Sequence, residues 1–289
     1  MKIAFAGKGG AGKTTISSLV IDRISKKYKT LALDLDSNVN LATSLGFENI
    51  EQLITFGTKK EEVMNYTGST KMSDWENRVY LPTNTDGFYD YESDFINKYS
   101  ISSENIKLMS LGFIEDEKRG IESMCDYYEM SKVFMNHINL KNDQFLIADL
   151  AAGVEMISRA TVMSFDLIFV ITDANFKNIK VAKQILNGLE LIGFSKEEII
   201  IIPNKYIDKE DLSSIKNEFD GYNLIDGMEF DSEIYDLDSK KQLFLSKSKQ
   251  LDDVIENIVS NILKFKNSSN SRIIERIKKM DEKKQNFLK

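Results

Sequence analysis

The chain has 289 residues, a formal net charge of −7 and a single cysteine. Its length allows one large α/β domain with a substantial core, and its acidic balance argues against a general nucleic-acid-binding surface, which requires a basic face. A single cysteine excludes an intrachain disulfide. No apolar run approaches the ~20 residues that span a bilayer. Together these features favour a protein of the reducing cytoplasm.

The first predicted element is a short buried strand that leads into a glycine-rich turn. The apolar run Ile3 to Ala6 precedes the pattern Gly7-x-x-x-x-Gly12-Lys13-Thr14, and apolar residues then recur at helical spacing from Ile16 to Ile24. In such a turn backbone N–H groups face an anion, and the helix amino terminus adds its positive dipole end. Lys13 can reach the β- and γ-phosphates, and the Thr14 hydroxyl can ligate Mg²⁺. The pattern therefore predicts a site for a nucleoside triphosphate.

Further apolar runs recur along the chain with helical segments between them. Continuous apolar runs are typical of parallel strands that are buried on both faces. We therefore expect a single doubly wound α/β domain, in which helices flank a mostly parallel central sheet and the phosphate-binding loop follows the first strand. The later predicted strands are Thr30–Asp34, Phe145–Asp149, Leu167–Thr172 and Ile199–Pro203.

Two segments depart from this alternation. Residues 48–105 are polar with weak periodicity, and we expect them to hold helices and loops that cover one edge of the sheet or face a partner. Residues 267–271, Asn-Ser-Ser-Asn-Ser, predict a short flexible break, and the chain beyond them is basic with helical spacing. The expected organisation is an ATPase domain over residues 1–266 and a basic C-terminal helix or tail over residues 267–289.

The phosphate-binding loop carries an additional lysine at its second position, Lys8. With it the loop resembles the deviant Walker A loop of the MinD/ParA/nitrogenase-iron-protein superfamily. The resemblance implies that Lys8 crosses the interface of an ATP-dependent homodimer and contacts the partner's phosphates, much as an arginine finger does. The nucleotide-binding residues that it implies in the loop are Lys8, Gly9, Gly10, Ala11, Gly12, Lys13, Thr14 and Thr15, with Lys8 and Lys13 also catalytic.

The ends of two predicted strands resemble the two switch segments of the same superfamily. After the second strand, Asp36 matches the catalytic aspartate that orients the attacking water. We also expect Asp36 at the Mg²⁺ site with Thr14 and Asp149, and the alternative is that it only caps the strand end. Asp34 either supports the metal through a water or caps the strand end. After the third strand, Asp149-Leu-Ala-Ala-Gly-Val-Glu155 implies that Asp149 holds Mg²⁺ through a water and that the Gly153 N–H approaches the γ-phosphate.

Asn204 and Lys205 follow the apolar run that begins at Ile199. An asparagine amide can both donate to and accept from an adenine edge, and in the superfamily this residue contacts the base. We therefore expect Asn204 and Lys205 to bind the nucleotide. Since no guanine-reading aspartate is evident beside them, adenine is favoured, and the implied cofactors are ATP and Mg²⁺.

Within the superfamily, residues 34–46, 108–112 and 153–161 resemble the carbon monoxide dehydrogenase accessory ATPases (CooC), which help to load nickel into anaerobic metalloenzymes. The resemblance implies a maturation or metal-insertion factor with a client of the carbon monoxide dehydrogenase/acetyl-CoA synthase type. Those proteins carry a Cys-x-Cys pair, whereas here Tyr127 follows Cys125 at the second position. Two thiols per dimer cannot form a four-thiolate site. Cys125 is therefore either a weak ligand for Ni²⁺ or Zn²⁺ or an inert buried thiol, and His137 is expected to be structural.

A MinD/ParA-like protein that positions partners under nucleotide control is the alternative function. MinD-type proteins end in a basic amphipathic helix that binds membrane. Ile273, Ile274, Ile277 and Met280 could form the apolar stripe of such a helix here. The other interpretations of this segment are packing against the body and a solvated tail. The acidic balance disfavours DNA partitioning.

Overall fold

The computed structural model describes residues 1–36, 39–57, 59–68, 89–112, 123–240, 248–268 and 272–287. Within these ranges the strands are β1 (Lys2–Gly7), β2 (Lys29–Leu35), β3 (Ile101–Ser103), β4 (Ile106–Ser110), β5 (Gln144–Leu150), β6 (Leu167–Thr172), β7 (Ile199–Tyr206), β8 (Asn223–Leu224) and β9 (Met228–Glu229). The helices are α1 (Lys13–Ser25), α2 (Leu41–Ser44), α3 (Lys60–Thr67), α4 (Asp94–Lys98), α5 (Ser123–Asn136), α6 (Glu155–Ser158), α7 (Phe176–Leu191), α8 (Lys209–Glu218), α9 (Ser232–Ser239), α10 (Lys249–Ser268) and α11 (Ile273–Phe287).

The strands form one twisted sheet in the order β3-β4-β2-β5-β1-β6-β7-β8, and β9 also pairs with β7. The pairing of β3 with β4 is antiparallel, and the other pairings between these strands are parallel. The five strands predicted from apolar runs, β2, β5, β1, β6 and β7, lie side by side in the centre. The prediction of a mostly parallel, doubly wound sheet is confirmed.

Helices cover both faces of this sheet, which explains why its central strands are apolar throughout. In β1, Ile3 and Phe5 face a layer that includes α1, α2 and α10, whereas Ala4 and Ala6 face a layer that includes α5, α7 and α11. All six β1 residues are buried. A strand with only one covered face would instead alternate apolar and polar side chains. The two layers hold β1 rigidly, so the loop that follows it starts from a fixed point.

The described part of residues 48–105 includes the β3 edge of the sheet. Within them, α3 and α4 bury Val63 and Ile96, and β3 forms the edge strand. Residues 58 and 69–88 of this segment lie outside the described residues. Neither β3 nor β4 was predicted as a strand, because each is short and has polar residues among its apolar ones.

The C-terminal helix α11 packs against the body of the protein. Ile277 is fully buried, and Ile273 and Met280 are partly buried against the core. The Arg276 guanidinium donates to Glu198 Oε1 at 2.6 Å and to the carbonyl oxygens of Met163 (3.1 Å) and Phe165.

This packing supports the interpretation that α11 packs against the body rather than the membrane-binding one, because most of the apolar stripe that membrane binding requires is covered by the protein. Ile274 is the member that remains well exposed, at 59%. No helix in the described ranges is both long and apolar enough to cross a bilayer. The sequence predicts a flexible break over residues 267–271. The chain is still helical at Asn267, and residues 269–271 lie outside the described residues.

Arg276→Met should destabilise the protein by about 3–5 kcal/mol, because removing one member of a buried ion pair leaves the other charge uncompensated. The Arg276 and Glu198 side chains are 2% and 5% exposed. The matched control is Lys279→Met, which removes an exposed lysine from the same helix and should leave the urea midpoint unchanged. If both variants unfold at the same urea concentration, the buried pair does not anchor α11.

Candidate nucleotide-binding site

The loop between β1 and α1 lies at the carboxyl end of the sheet. Gly12 occupies the position that caps α1, in the left-handed conformation with φ of 97°. A β-carbon at Gly12 would collide with the side-chain amide of Asn204. Both the backbone angle and the close approach therefore require glycine at this position. The result is a tight loop that ends at the amino terminus of a 13-residue helix, a geometry suited to an anion.

Thr14 and Asp149, which the sequence predicts as Mg²⁺ ligands, lie together beneath this loop. The Thr14 hydroxyl donates to Asp149 Oδ2 at 2.5 Å. Asp149 is 1% exposed, and its Oδ1 has no hydrogen-bond partner among the described residues. Burial raises the pKa of Asp149 to about 6, while the Thr14 hydrogen bond and the Lys13 charge oppose that rise.

These groups fit a magnesium ion. A hydroxyl and a buried carboxylate with an unsatisfied oxygen are hard oxygen donors, which Mg²⁺ prefers, and nucleotide phosphates commonly complete its coordination. A divalent cation would also stabilise the ionised form of Asp149, which burial alone disfavours. The buried Lys13 lies beside them, since its charge acts on the pKa of Asp149.

Asp34 lies near the end of β2, opposite Asp149 on the neighbouring strand β5, and Asp36 follows β2. Asp34 is buried, and its two oxygens accept backbone N–H groups, Asp36 N at 3.1 Å and Leu41 N at 2.9 Å. Burial raises the pKa of Asp34 to about 7. Asp34 therefore holds the backbone of the first switch segment in place. This role favours its interpretation as a cap of the strand end over support of the metal through a water. Asp36 is half-buried, and its charge raises the pKa values of Asp34 and Asp149, so the three carboxylates lie close together. Residues 37–38 lie outside the described residues.

Gly153 contacts the phosphate-binding loop directly. Its N–H donates to the Gly7 carbonyl at 3.0 Å, its φ is 90°, and no other atom lies within 4 Å of the point where a β-carbon would be. For this N–H to reach a γ-phosphate, as the sequence predicts, the bond to Gly7 must break. In the absence of nucleotide, the Gly153 N–H of the second switch thus bonds to the Gly7 carbonyl instead of to a phosphate.

Lys8 is half-buried in the loop, and its ammonium has no hydrogen bond or ion pair with any described residue. The Lys8 carbonyl accepts the Ala11 N–H at 3.2 Å, which tightens the loop. Thr15, also predicted to bind nucleotide, is buried at the start of α1.

Asn204 and Lys205 hold the loop from β7. Asn204 is 1% exposed, and its Nδ2 donates to the Ala11 carbonyl at 2.7 Å. Lys205 Nζ donates to the Gly10 carbonyl at 3.0 Å. The sequence predicts a base contact for Asn204 and nucleotide binding for both residues. The observed bonds support the loop itself and leave Asn204 Oδ1 without a partner among the described residues. No local pattern could have indicated a bond between residues 193 positions apart.

The predicted transition-metal ligand Cys125 lies in α5, and its side chain is outside the described part of the structure. His137 is fully buried, its Nδ1 lies 2.7 Å from the Val133 carbonyl oxygen, and burial lowers its pKa to about 4. The expectation that His137 is structural is confirmed. Among the described residues, no group of three or more His, Cys, Asp or Glu side chains is arranged to hold a metal ion.

The family profile of the CobQ/CobB/MinD/ParA nucleotide binding domain matches residues 2–244, which is most of the chain. The protein belongs to this family. The resemblance of its loop and switches to MinD and ParA is thereby confirmed, and the family binds nucleotides.

Three similar proteins illustrate the range of this family. An uncharacterised ATP-binding protein of Methanocaldococcus jannaschii is 29% identical over 93% of this chain and 100% of its own length. The carbon monoxide dehydrogenase accessory protein CooC of Rhodospirillum rubrum is 25% identical over 81% of this chain and 85% of its own. The structure of the septum site-determining protein MinD of Pyrococcus horikoshii, complexed with Mg-ADP, superposes with a TM-score of 0.57 at 16% identity, covering 90% of this chain and 95% of that chain. The last of these shows the shared fold.

Mg²⁺ with ADP should raise the unfolding temperature more at pH 7.5 than at pH 5.5. The ion requires an ionised Asp149, and the pKa of this carboxyl is raised to about 6 by burial. At pH 5.5 most of the ligand-free protein carries a proton there, which the metal must displace. Without ligand the trend is opposite. The pKa of Asp149 is higher in the folded than in the unfolded protein, so its contribution to the free energy of unfolding should decrease as the pH rises from about 4 to 6.

Thermal unfolding at the two pH values, with Mg²⁺·ADP and without ligand, measures this difference. Asp149→Asn is the control, since it removes the titration and should make the gain from ligand similar at both pH values. A gain in the unchanged protein that does not depend on pH would contradict the assignment of Asp149 to the metal.

Proposed function

We propose that this protein is a slow Mg²⁺-dependent ATPase that dimerises on binding ATP and acts in the maturation of a metalloenzyme. One observation carries the ATPase part: the Thr14 hydroxyl meets the buried Asp149 carboxylate at 2.5 Å, beside Lys13 and beneath a glycine-rich loop. Phosphate release from ATP, measured with Mg²⁺ and with excess EDTA, tests this part. Release should require the metal, and equal rates in both conditions would contradict the proposal.

Binding follows from the loop and its two ends. The N–H groups of the loop and of the first turn of α1 bind the phosphate oxygens, and Lys13 contacts the β- and γ-phosphates. Thr14 and Asp149 are the residues that would hold Mg²⁺, and the ion would supply positive charge against the triphosphate. Asn204 Oδ1, which has no partner among the described residues, is the group that would accept a hydrogen bond from the amino group of adenine.

Hydrolysis requires a water in line with the γ-phosphate. Asp36 accepts a hydrogen bond from this water and orients it. The water oxygen attacks the γ-phosphorus, the bond between that phosphorus and the β–γ bridging oxygen breaks, and ADP and inorganic phosphate leave. Lys13 and Lys8 stabilise the charge that develops on the transferring group. The Gly153 N–H exchanges its bond with Gly7 for one with the γ-phosphate, which couples the second switch to the state of the nucleotide.

Dimerisation explains the free ammonium of Lys8. Within its own subunit the half-buried Lys8 has no ion pair with a described residue. A second copy that faces this loop would receive the Lys8 charge at its own phosphates. Two triphosphates brought together without such charges would repel each other. ATP is thus needed for the dimer, and the dimer is needed for turnover.

The similarity to CooC supports a role in the maturation of a metalloenzyme, because that relative is named as an accessory protein of carbon monoxide dehydrogenase. We propose that the client here is of the same type, with nickel as the cargo that it receives. Apo-carbon monoxide dehydrogenase, incubated with Ni²⁺ and this protein, should gain activity faster with ATP than with ADP. The Asp36→Ala variant should not accelerate activation, and equal acceleration with ATP and ADP would contradict a nucleotide-driven role.

Cys125→Ser should leave ATP hydrolysis and ATP-driven dimerisation largely intact, because a single thiol per subunit cannot supply a four-thiolate site. Equilibrium dialysis with Ni²⁺ and with Zn²⁺, with and without ATP, tests whether the thiol holds metal. We expect at most weak binding that falls as pH decreases, since thiolate ligands must be deprotonated. A stoichiometric site of submicromolar affinity that is lost in Cys125→Ser would contradict this prediction.

A MinD/ParA-like positioning function is the alternative that shares both switches. It loses support from α11, whose Ile273, Ile277 and Met280 pack against the body. Co-sedimentation with vesicles of anionic phospholipid separates the two functions. ATP-dependent binding to these vesicles would favour positioning, and its absence would favour action on a client enzyme.

A further inference from the structure

A cavity of about 420 Å³ lies at the amino ends of the central strands, opposite the phosphate-binding loop. Its wall includes the start of β1, the chain between α5 and β5, and the facing ends of α10 and α11. Lys2 begins β1 and Gly7 ends it, so at about 3.3 Å per residue the cavity and the loop are roughly 16 Å apart. The volume is within the range of small-molecule sites. The nucleotide site does not account for this cavity.

Asn136 gives the cavity an unsatisfied polar group. It is the last residue of α5, lines the cavity and is 4% exposed. Neither its Nδ2 nor its Oδ1 has a hydrogen-bond partner among the described residues. Buried amides are nearly always paired, because burial without a partner is costly. A ligand that offers both an acceptor and a donor would satisfy this side chain.

The charges around the cavity favour an anion. Among the described residues that line it, Lys2, Lys141 and Lys266 are cationic side chains and Asp166 is the one acidic side chain, although the whole chain has a net charge of −7. Lys2 Nζ donates to the Met135 carbonyl at 2.6 Å, and an ammonium has three donors. Burial lowers the pKa of Lys2 to about 8. A bound anion would compensate the charge that burial disfavours.

The remaining wall is largely apolar, with Leu140, Phe265 and Ile273 among its residues. Ile273 belongs to α11 and Phe265 to α10, so an apolar group in the cavity would contact both C-terminal helices. The combination of cations, an unpaired amide and apolar side chains suits a ligand with a charged end and an apolar end.

We propose that this cavity binds a small carboxylate that carries an apolar chain and, beside the carboxylate, a hydroxyl or amino group. The carboxylate accepts hydrogen bonds from Asn136 Nδ2 and from Lys2 and Lys266. The adjacent hydroxyl or amino group donates to Asn136 Oδ1, and the chain packs against Phe265 and Ile273. Such a ligand joins the start of α11 to the amino ends of β1 and β6. The proposal stands independently of the ATPase function.

Isothermal titration of the full-length protein with four probes tests this proposal: 2-hydroxyhexanoate, norleucine, hexanoate and hexanol. The hydroxy acid or norleucine should bind with a submillimolar Kd, about tenfold tighter than hexanoate, because only they satisfy both atoms of the amide. The better of the two identifies the donor as hydroxyl or amino. Hexanol should not bind measurably. Failure of all four probes to bind, or equal binding of hexanol and hexanoate, would overturn the proposal.

Two variants and a control connect the binding to named side chains. Asn136→Leu should abolish the preference over hexanoate, and Lys266→Met should weaken the binding of all three carboxylate probes by about tenfold. Lys264→Met removes an exposed lysine of the same helix that does not line the cavity, and it should bind all probes as the unchanged protein does. An unchanged ATP affinity in each variant shows that it is folded. Wild-type probe binding in both Asn136→Leu and Lys266→Met would overturn the proposal.

Discussion

Asp36→Ala should bind ATP about as tightly as the unchanged protein and hydrolyse it at least about 100-fold more slowly, because a group that orients the attacking water acts in the chemical step. Asp36 follows β2 and lies near Asp149, whose pKa it raises. Its removal also takes a negative charge away from the phosphates, so ATP affinity has no electrostatic reason to fall. Calorimetry with ATP and a phosphate-release assay measure the two quantities separately.

Lys13→Ala is the contrasting variant. Lys13 is buried at the start of α1 beside Asp149, and its loss should raise the Kd for ATP at least about tenfold, since charge-assisted hydrogen bonds to the phosphates disappear. Lys27→Ala, which removes an exposed lysine after the end of the same helix, should change neither quantity. An equal loss of ATP binding in Asp36→Ala and Lys13→Ala would contradict the separate roles.

Lys8→Ala should abolish the dimer that ATP induces. The comparison is made in the Asp36→Ala background, where bound ATP persists, and sedimentation velocity reports the monomer and dimer. Without Lys8 two triphosphates face each other without the charges that the dimer supplies in trans. We expect the dimer dissociation constant to rise at least about tenfold.

Lys177→Ala is the control for this comparison. Lys177 is exposed at the start of α7, which follows β6 at the same end of the sheet as the loop. Its replacement by alanine changes the net charge by the same amount as Lys8→Ala does. It should dimerise as the parent does. If Lys8→Ala dimerises and hydrolyses ATP normally, Lys8 has no role in trans.

The sequence predicted those parts of the fold that local patterns determine. The apolar runs of β1, β2, β5, β6 and β7 are continuous because both faces of these strands are covered. Helix α7 ends at Leu191, and Gly193 just beyond it adopts a φ of 103°, a conformation that favours glycine. The meeting of Thr14 and Asp149 could also be anticipated, since the loop after β1 leads to Thr14 at the start of α1 and Asp149 lies near the carboxyl end of the neighbouring parallel strand β5.

Contacts that depend on tertiary packing could not be predicted in this way. The bond of Asn204 to the Ala11 carbonyl joins β7 to the loop, and no periodicity or motif encodes it. Similarly, Arg276 looks like one basic residue among many in α11, yet it is buried in an ion pair with Glu198. The unpaired amide of Asn136 is visible only once the cavity around it is known.

We propose that each ATP site is completed by Lys8 of a second copy, and a mixture of two inactive variants tests this proposal. Lys8→Ala retains Asp36, and Asp36→Ala retains Lys8, so a mixed dimer contains one complete site if Lys8 acts in trans. Each mixed dimer has one complete site out of two, so the ATPase rate of a one-to-one mixture should rise well above that of either variant alone, to about half of the wild-type rate at most, as expected for a charge supplied in trans. A mixture that is no more active than the separate variants would contradict the claim.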